Sequence, residues 1–319
     1  MLLRIMLMVL SLLLITWAWV TQPLLFSGER QNVTAVEPAR LEAHVRMLSE
    51  QLIPRDGAHP ENLDRVASYV RQEFARATGR VSEQVYDAQG NPYRNVLAQF
   101  GPETTERIVV GAHYDAAGEY PAADDNASGV AGLIELAYLL SKAAPSMCVE
   151  LVAFTLEEAP YFVTSRMGSL VHAESLKTAG IPVRMMFSLE MIGYFSDQPQ
   201  SQTFPFSLLA AFYPSQGNFI AVVGKLDQGL AVRRVKQAMQ SASSLPVYSI
   251  NAPRWVTGID FSDHQSYWQA GYNAVMITDT AFYRNHNYHT GRDTADTLDY
   301  RRMAMVVQGV YAAVLALAR

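Results

Sequence analysis

The sequence predicts an α/β protein with a mixed, mainly parallel central sheet flanked by helices, preceded by an N-terminal transmembrane or signal segment. Two observations carry this prediction. Apolar runs of strand length alternate with helical patterns along the chain, which is typical of a parallel sheet covered by helices. The first 20 residues are almost wholly apolar, whereas the rest of the 319-residue chain has the composition of an ordinary globular protein.

Composition divides the chain into three segments. We expect a signal anchor or signal peptide over residues 1–26, a polar tether over 27–37 and one folded domain over 38–319. A domain of this size can bury a full core. The formal net charge is -5, and no basic patch predicts a nucleic-acid partner. The single cysteine, Cys148, excludes an internal disulfide and is expected to be a buried thiol.

The N-terminal segment is long enough to span a bilayer if Leu24-Leu25-Phe26 lie near the far interface. A cleaved signal peptide is the alternative, but bulky residues around Trp17 and Trp19 leave no small-x-small cleavage site. We therefore expect an uncleaved anchor, with Arg4 cytoplasmic and the domain periplasmic or extracellular. If the segment is cleaved, the domain is secreted. The tether holds a glycosylation acceptor, Asn32-Val33-Thr34, which matters only in a source that glycosylates.

Helical apolar stripes, capping residues and prolines predict seven helices in the domain. Their expected ranges are 39–52, 60–77, 127–140, 169–179, 226–241, 264–269 and 299–318. Apolar and β-branched runs predict eight strands, the first two joined as a hairpin across a turn at 87–92. Their expected ranges are 81–86, 94–100, 107–112, 149–156, 183–189, 219–223, 247–250 and 273–278. The stretch 193–217 has no period and is expected to be a long ordered loop or lid.

Acidic and histidine residues follow four of these strands. They are His113-Tyr114-Asp115, Glu157-Glu158, Glu190, and a loop that holds both His286 and His289. Because ligands bind outside the carboxyl ends of parallel strands, we expect these side chains to converge in one crevice. Asp124 and Asp125, at a predicted helix start, would repel each other unless a cation lay between them. The pattern therefore predicts a metal site.

Two imidazoles and three carboxylates make a set that suits two divalent cations. The set is His113, Asp124, Glu158, Glu190 and a histidine of the last loop, either His286 or His289. Mixed nitrogen and oxygen ligands favour zinc, with manganese and cobalt as alternatives.

One ligand of the set must bridge the two metals, and Asp124 is expected in that position because it lies in a loop between strands. Asp115 would orient the imidazole of His113, and Asp125 would support the site. Glu157, which should point away from its ligating neighbour Glu158, is expected to be the general base toward a metal-activated water and then the acid toward the leaving amine. Asp263 either supports the site or lies at the start of a helix for which Ser262 is the expected N-cap.

An ordered series of motifs resembles the zinc-dependent aminopeptidase family with two co-catalytic metals, which also contains glutamate carboxypeptidases, glutaminyl cyclases and the transferrin receptor ectodomain. The resemblance runs from about Leu41 to the C-terminus. It is carried by Gly111-Ala112-His113-Tyr114-Asp115, Asp124-Asp125-Asn126-Ala127-Ser128-Gly129, Glu157-Glu158, Met167-Gly168-Ser169, Glu190-Met191-Ile192-Gly193, Ser262-Asp263-His264 and Tyr288-His289-Thr290. No single motif is specific, but their joint order is.

The resemblance implies a metallopeptidase domain over 38–319 with two zinc ions, a peptide substrate, Asp124 as the bridge and His289 as the last ligand. It also implies a cis peptide between Asp124 and Asp125. The chain departs from the family at Glu190, where most members carry aspartate, and at 159–162, where small residues usually follow the glutamate pair.

Three functions share this predicted fold. An exopeptidase, most readily an aminopeptidase, is favoured by the complete ligand set and by Glu157. A glutaminyl-peptide cyclotransferase would use a single zinc. A binding ectodomain without catalysis would need no metal.

Overall fold

The computed structural model describes residues 2–24, 31 and 33–319 and contains one eight-stranded sheet. Its strands are β1 (Arg80–Ala88), β2 (Asn91–Phe100), β3 (Arg107–His113), β4 (Cys148–Phe154), β5 (Val183–Glu190), β6 (Ile220–Gly224), β7 (Val247–Asn251) and β8 (Ala274–Thr278). Their order across the sheet is β1-β2-β4-β3-β5-β8-β6-β7. Strands β4, β3, β5 and β8 are mutually parallel neighbours, as are β6 and β7. The β1/β2, β2/β4 and β6/β8 pairs are antiparallel, so the predicted mixed, mainly parallel sheet is confirmed.

Eight α-helices accompany the sheet among the described residues. They are α1 (Leu2–Thr21), α2 (Pro38–Arg46), α3 (Pro60–Arg76), α4 (Gly129–Leu140), α5 (Gly168–Thr178), α6 (Gly229–Ala242), α7 (His264–Ala270) and α8 (Tyr300–Leu317). Two buried apolar clusters cover the two faces of the sheet, one involving α2, α3, α4, α6 and α8 and the other α5 and α7. Cys148 is buried, as expected.

Element boundaries differ from the sequence-based expectation at two places that have a clear cause. The hairpin strands are longer than predicted, because Gln89 and Gly90 both adopt positive φ and form a tight turn of two residues. Helix α4 begins at Gly129 rather than at Ala127, because Asp125 and Asn126 have non-helical backbone angles in the irregular turn before it. The loop at 193–217 contains one short 3₁₀ turn, Ser207–Ala211.

Helix α1 is the part of the described chain that is long and apolar enough to cross a membrane, over Arg4–Thr21. The predicted interface residues Leu25 and Phe26, the acceptor Asn32 and residues 27–30 of the tether lie outside the described residues.

Candidate metal centre

Three neighbouring parallel strands deliver site residues to the same edge of the sheet. Strand β3 ends at His113, β5 ends at Glu190, and β4 is followed directly by the turn that carries Glu157 and Glu158. All four side chains are buried or nearly so. The predicted convergence at the carboxyl edge is thus present in the structure.

Two groups of potential ligands share one carboxylate, that of Asp125. In the first group, His113 Nε2 lies 3.4 Å from Asp125 Oδ1 and 3.4 Å from Glu190 Oε2. In the second, His289 Nε2 lies 2.9 Å from Asp125 Oδ2 and 3.3 Å from Glu158 Oε1. Each oxygen of Asp125 therefore faces a different histidine, which is the arrangement of a bridging ligand between two cations.

The expectation that Asp124 is the bridge is wrong for this structure. The Asp124 carboxylate points away from both histidines, accepting hydrogen bonds from Gly193 N (3.0 Å) and Asn285 Nδ2 (2.8 Å). It is fully buried and packs beside Asp279. Asp125, expected only to support the site, occupies the position between the ligand groups instead.

The cis peptide bond also lies one residue further along the chain than expected. It joins Asp125 to Asn126, not Asp124 to Asp125 as the resemblance implied. Asn126 Nδ2 donates to Leu189 O (2.8 Å), and Asn126 Oδ1 accepts from Met191 N (3.1 Å). These contacts connect the turn Ala123–Ser128, which we call the ligand turn because it carries Asp125, to the end of β5.

Asp115 positions the two glutamates that follow β4. Its carboxylate accepts hydrogen bonds from Glu157 N (3.1 Å) and Glu158 N (3.0 Å), and its Oδ1 lies 3.6 Å from His113 Nδ1. Glu158 turns toward His289 and Asp125, whereas the Glu157 carboxylate is grouped with His113 and Glu158 but lies outside the two groups that share Asp125. The two carboxylates therefore differ in their partners, although both come close to His113.

Of the two histidines in the last loop, His289 is the one that lies among the other potential ligands. His289 contacts Asp125 and Glu158 and stacks on Tyr288, with ring centroids 3.7 Å apart. His286 is exposed and belongs to neither ligand group.

Ser262 and Asp263 lie behind the site. The hydroxyl of Ser262 donates to Glu190 Oε2 (2.7 Å), and it does not cap α7, whose N-cap residue is Asp263 without a side-chain cap bond. The expected capping role of Ser262 is therefore wrong. Asp263 is fully buried, which raises the pKa of its carboxyl to about 7. Neither of its carboxylate oxygens has a hydrogen-bond partner among the described residues.

Burial and the interactions among neighbouring charges shift the pKa values of the ionisable groups in the site. Burial raises the pKa of Glu158 to about 7, with the Asp125 carboxylate adding to the shift. Burial also raises the pKa of Glu157 well above its usual range, opposed by His113 and reinforced by Glu158 and Glu190. For His289, burial lowers the pKa, but its contacts with Asp125 and Glu158 outweigh this and raise the pKa to about 10. Carboxylates this crowded are stabilised by positive charge.

The donor set fits zinc. Ligands placed at the corners of a tetrahedron, with bonds of about 2.0–2.2 Å to zinc, lie about 3.3–3.6 Å apart, and the site's donor atoms are separated by 2.9–3.4 Å. Glu158 Oε1 and His289 Nε2 are buried atoms without a hydrogen-bond partner in the described part of the chain. Polar atoms left unpaired in this way are expected where a cation completes the site.

Three buried residues that support the site were not predicted from the sequence. Asp293 accepts hydrogen bonds from the backbone amides of both Asp124 (2.9 Å) and Asp125 (3.1 Å). Asp279 follows the end of β8 and accepts from Tyr194 N (2.8 Å) beside Asp124. Because Asp279 directly follows a predicted strand, the sequence could have identified it as a residue at the same edge of the sheet.

Arg55 is the third of these residues and is completely buried. It donates to the backbone carbonyls of Tyr114, Pro121 and Ala122. These hydrogen bonds hold together the two ends of the loop between β3 and the ligand turn. Nothing in the local sequence distinguishes it from a surface arginine.

A cavity of about 860 Å³, its mouth included, adjoins the ligand groups. Glu190 and Tyr288 lie at the end of the cavity nearest the ligand groups, which we call its metal end. The walls are mainly apolar and aromatic, with contributions from the loop at 193–217, the ends of β6–β8 and the segment before α7: Phe204, Leu209, Tyr213, Phe219, Tyr248, Ile250, Val256, Ile259, Phe261, Met276 and Phe282.

A mixed α/β sheet with histidine and carboxylate groups at its carboxyl edge, beside a cavity, is the arrangement expected of a zinc metallopeptidase. The chain belongs to peptidase family M28, whose sequence model matches residues 95–314. It is 48% identical over 281 residues to the protein YfbL of Escherichia coli K12, covering 86% of each chain.

Solved structures of similar fold include two with different activities. The chain superposes with a TM-score of 0.70 on BSAP, a zinc aminopeptidase from Bacillus subtilis, at 13% identity and covering 89% of this chain and 95% of that one. It superposes with a TM-score of 0.66 on a glutaminyl cyclase from Bacteroides thetaiotaomicron bound to N-acetylhistamine, at 17% identity and covering 89% and 99%. At these identities the similarity establishes the fold alone.

Proposed function

We propose that this protein is a zinc aminopeptidase that uses two metal ions, one held by His113, Asp125 and Glu190 and the other by Asp125, Glu158 and His289. The observation that carries the proposal is the position of Asp125, with one carboxylate oxygen toward each histidine. A single-zinc cyclotransferase has no use for a second complete ligand group. Zinc bound here would polarise the scissile carbonyl and acidify a water molecule.

Glu157 is proposed as the residue that moves protons. Its buried carboxyl lies beside the ligand groups without sharing Asp125, and its backbone is fixed by Asp115. From this position it would accept a proton from the attacking water and deliver it to the nitrogen of the leaving amine. Asp115 would hold the backbone of Glu157 and Glu158 in place through these hydrogen bonds.

The cavity favours recognition of the amino end of a peptide with an apolar first side chain. In the described part of the chain, the lining includes Glu190 but no arginine or lysine. Away from the proposed metal ions, the walls thus offer a substrate carboxylate no cationic side chain with which to pair. The aromatic walls would bury a large apolar side chain.

Chelation is the first test of this function. The purified full-length protein is expected to contain two zinc ions and to release amino acids from leucine and phenylalanine amides faster than from aspartate or lysine amides. Removing zinc should abolish release and returning it should restore release, because the chemistry depends on the metals.

Two outcomes would contradict the proposal. One zinc per chain, with cyclisation of an N-terminal glutamine peptide and no release of amino acid, would identify a cyclotransferase. A folded protein that binds no zinc would leave only a binding function.

The cavity wall can be tested with Ile250→Trp, at a half-buried position on β7. The larger side chain should occupy cavity volume, so kcat/KM for phenylalanine amide should fall by at least about tenfold, the effect of roughly 1.4 kcal/mol of lost burial. Alanine amide needs little of the cavity and should be hydrolysed at close to the wild-type rate. Equal losses on both substrates would remove the cavity from substrate recognition.

We further propose that α1 is an uncleaved membrane anchor and that the domain lies outside the cytoplasm. The length and hydropathy of α1 support this, as do Trp17 and Trp19 near its end, where aromatic residues favour the interface.

A further inference from the structure

Polar contacts fix the carboxyl end of α1 to the domain. Ser249 Oγ donates to Thr21 O (2.8 Å). Lys236 Nζ donates to Thr21 O (3.0 Å) and Gln22 O (3.1 Å), which places a cation at the helix C-terminus, where the helix dipole favours it. Because Thr21 and Gln22 are buried, the last turn of α1 is held in the domain, whereas residues 4–19 are exposed.

The contacts of Trp19 show the direction in which α1 leaves the domain. Thr21 lies beside Ser249 in the middle of β7. Two residues earlier in α1, Trp19 Nε1 donates to Leu226 O (2.8 Å), just beyond the carboxyl end of β6. The Trp19 ring also lies 3.8 Å from the place that a Cβ on Gly229 would occupy, at the start of α6. Followed toward its N-terminus, α1 therefore runs toward the carboxyl ends of β6 and β7.

These strand ends lie at the edge of the sheet opposite the metal centre. Strand β6 is antiparallel to β8, and β7 is parallel to β6. Strand β8 shares the direction of β3, β4 and β5, which end at the metal centre. The seven residues of β3 separate the two edges by about 20 Å. Helix α1 thus leaves the domain on the side away from the metal centre.

Exposed apolar and basic side chains surround the point where α1 leaves. We call them the anchor-side surface: Leu226, Leu230, Arg233 and Arg234. The two leucines are 41% and 74% exposed. Leu230 shares a helix face with both arginines, which follow it by three and four residues on α6. Asp227, the acidic residue of this segment, is paired with Lys225 (3.2 Å), so the two arginines leave the surface positively charged.

This combination of side chains suits the boundary between water and a phospholipid bilayer. Tryptophan is favoured at that boundary, and Trp19 lies level with Leu226 because the two are hydrogen-bonded. Exposed leucines at this level can enter the boundary region, and arginines beside them are attracted to anionic headgroups. A bilayer that contained residues 4–18 of α1 would meet the anchor-side surface before any part of the metal centre.

We infer that the anchor-side surface rests on the headgroups of the bilayer in which α1 is embedded, and that the metal centre faces away from that bilayer. The inference rests on the proposed membrane anchor. The partner is an anionic phospholipid surface. The substrates that reach the site in this orientation are peptides in the aqueous phase, whereas amino ends held close to the lipid headgroups are out of reach.

Spin labels test the orientation in the full-length, zinc-loaded protein, reconstituted in vesicles of phosphatidylethanolamine and phosphatidylglycerol. A fraction of the headgroups carries a nickel chelate, which collides only with labels close to the lipid surface. Leu230→Cys places a label on the anchor-side surface. The matched position is Glu119→Cys, with a side chain that is 76% exposed in the loop between β3 and the ligand turn. The native Cys148 is buried and should not compete for the label.

Position 230 should collide strongly with the headgroup nickel. Position 119 should collide weakly with it and strongly with a nickel chelate dissolved in water. Leu10→Cys reports on the anchor and should collide with oxygen but not with the dissolved chelate. If position 10 lies in lipid and position 230 is no closer to the headgroups than position 119, the inference is overturned and the anchor stands. A water-exposed position 10 would overturn both.

The consequence for substrates is tested with leucyl peptides joined through their carboxyl ends to lipid headgroups. Spacers of about 3 and about 20 prolines have lengths of about 9 and about 60 Å. Leucine should be released at least about tenfold faster from the long spacer, because a linker that cannot span the distance gives an effective concentration near zero. Equal rates from both spacers would contradict the inference. Failure to hydrolyse the same peptide free in solution would instead contradict the proposed aminopeptidase activity, on which the spin-label result does not depend.

Discussion

Replacing Glu157 by glutamine is expected to lower kcat by about a hundredfold or more, the usual contribution of a positioned general acid or base. Glutamine keeps the size of the side chain and the backbone bond from Glu157 N to Asp115, so the site should retain its shape. Glu157 is outside the two groups that share Asp125, and zinc content should therefore remain at two per chain.

The matched control is Glu103→Gln, at a glutamate whose side chain is 82% exposed. It makes the same chemical change away from the site and should leave kcat unchanged. Turnover near the wild-type level in Glu157→Gln would remove this residue from proton transfer. Loss of zinc in the same variant would indicate that it is a ligand.

The neighbouring aspartates form the second pair of variants. Asp125→Asn is expected to leave fewer than two zinc ions and no measurable hydrolysis, because one carboxylate faces both histidines and a neutral amide cannot supply two anionic oxygens. Asp124→Asn should bind both metals, with affinity lowered by about 10- to 100-fold, the range for residues that support metal ligands.

These two substitutions are chemically identical and one residue apart, so each is the control for the other. Zinc content and kcat would be measured on both. If Asp124→Asn loses zinc and Asp125→Asn keeps two ions, the bridging assignment returns to Asp124, as the sequence alone suggested.

The position of the site was predictable because strand ends are visible in sequence. His113, Glu158 and Glu190 each follow an apolar run, and parallel strands bring such positions to one edge.

The register of the aspartate pair was not predictable from the chain. Asp124 and Asp125 have the same chemistry and adjacent positions, so only the backbone of the turn decides which one meets the histidines. Ala122 adopts a left-handed conformation, and Asp293, more than 160 residues away, holds both aspartate amides. No local pattern encodes a contact over that distance.

The contacts of α1 escaped prediction for a similar reason. Composition identifies an apolar span, but the contacts of Lys236 and Ser249 with its last turn depend on tertiary packing.

A zinc-edge anomalous diffraction map of the crystalline protein would show directly whether Asp125 bridges two zinc ions. We expect two anomalous peaks about 3.5–4 Å apart, one beside His113 and Glu190 and the other beside Glu158 and His289, with Asp125 between them. A single peak, or two peaks bridged by Asp124, would contradict this assignment.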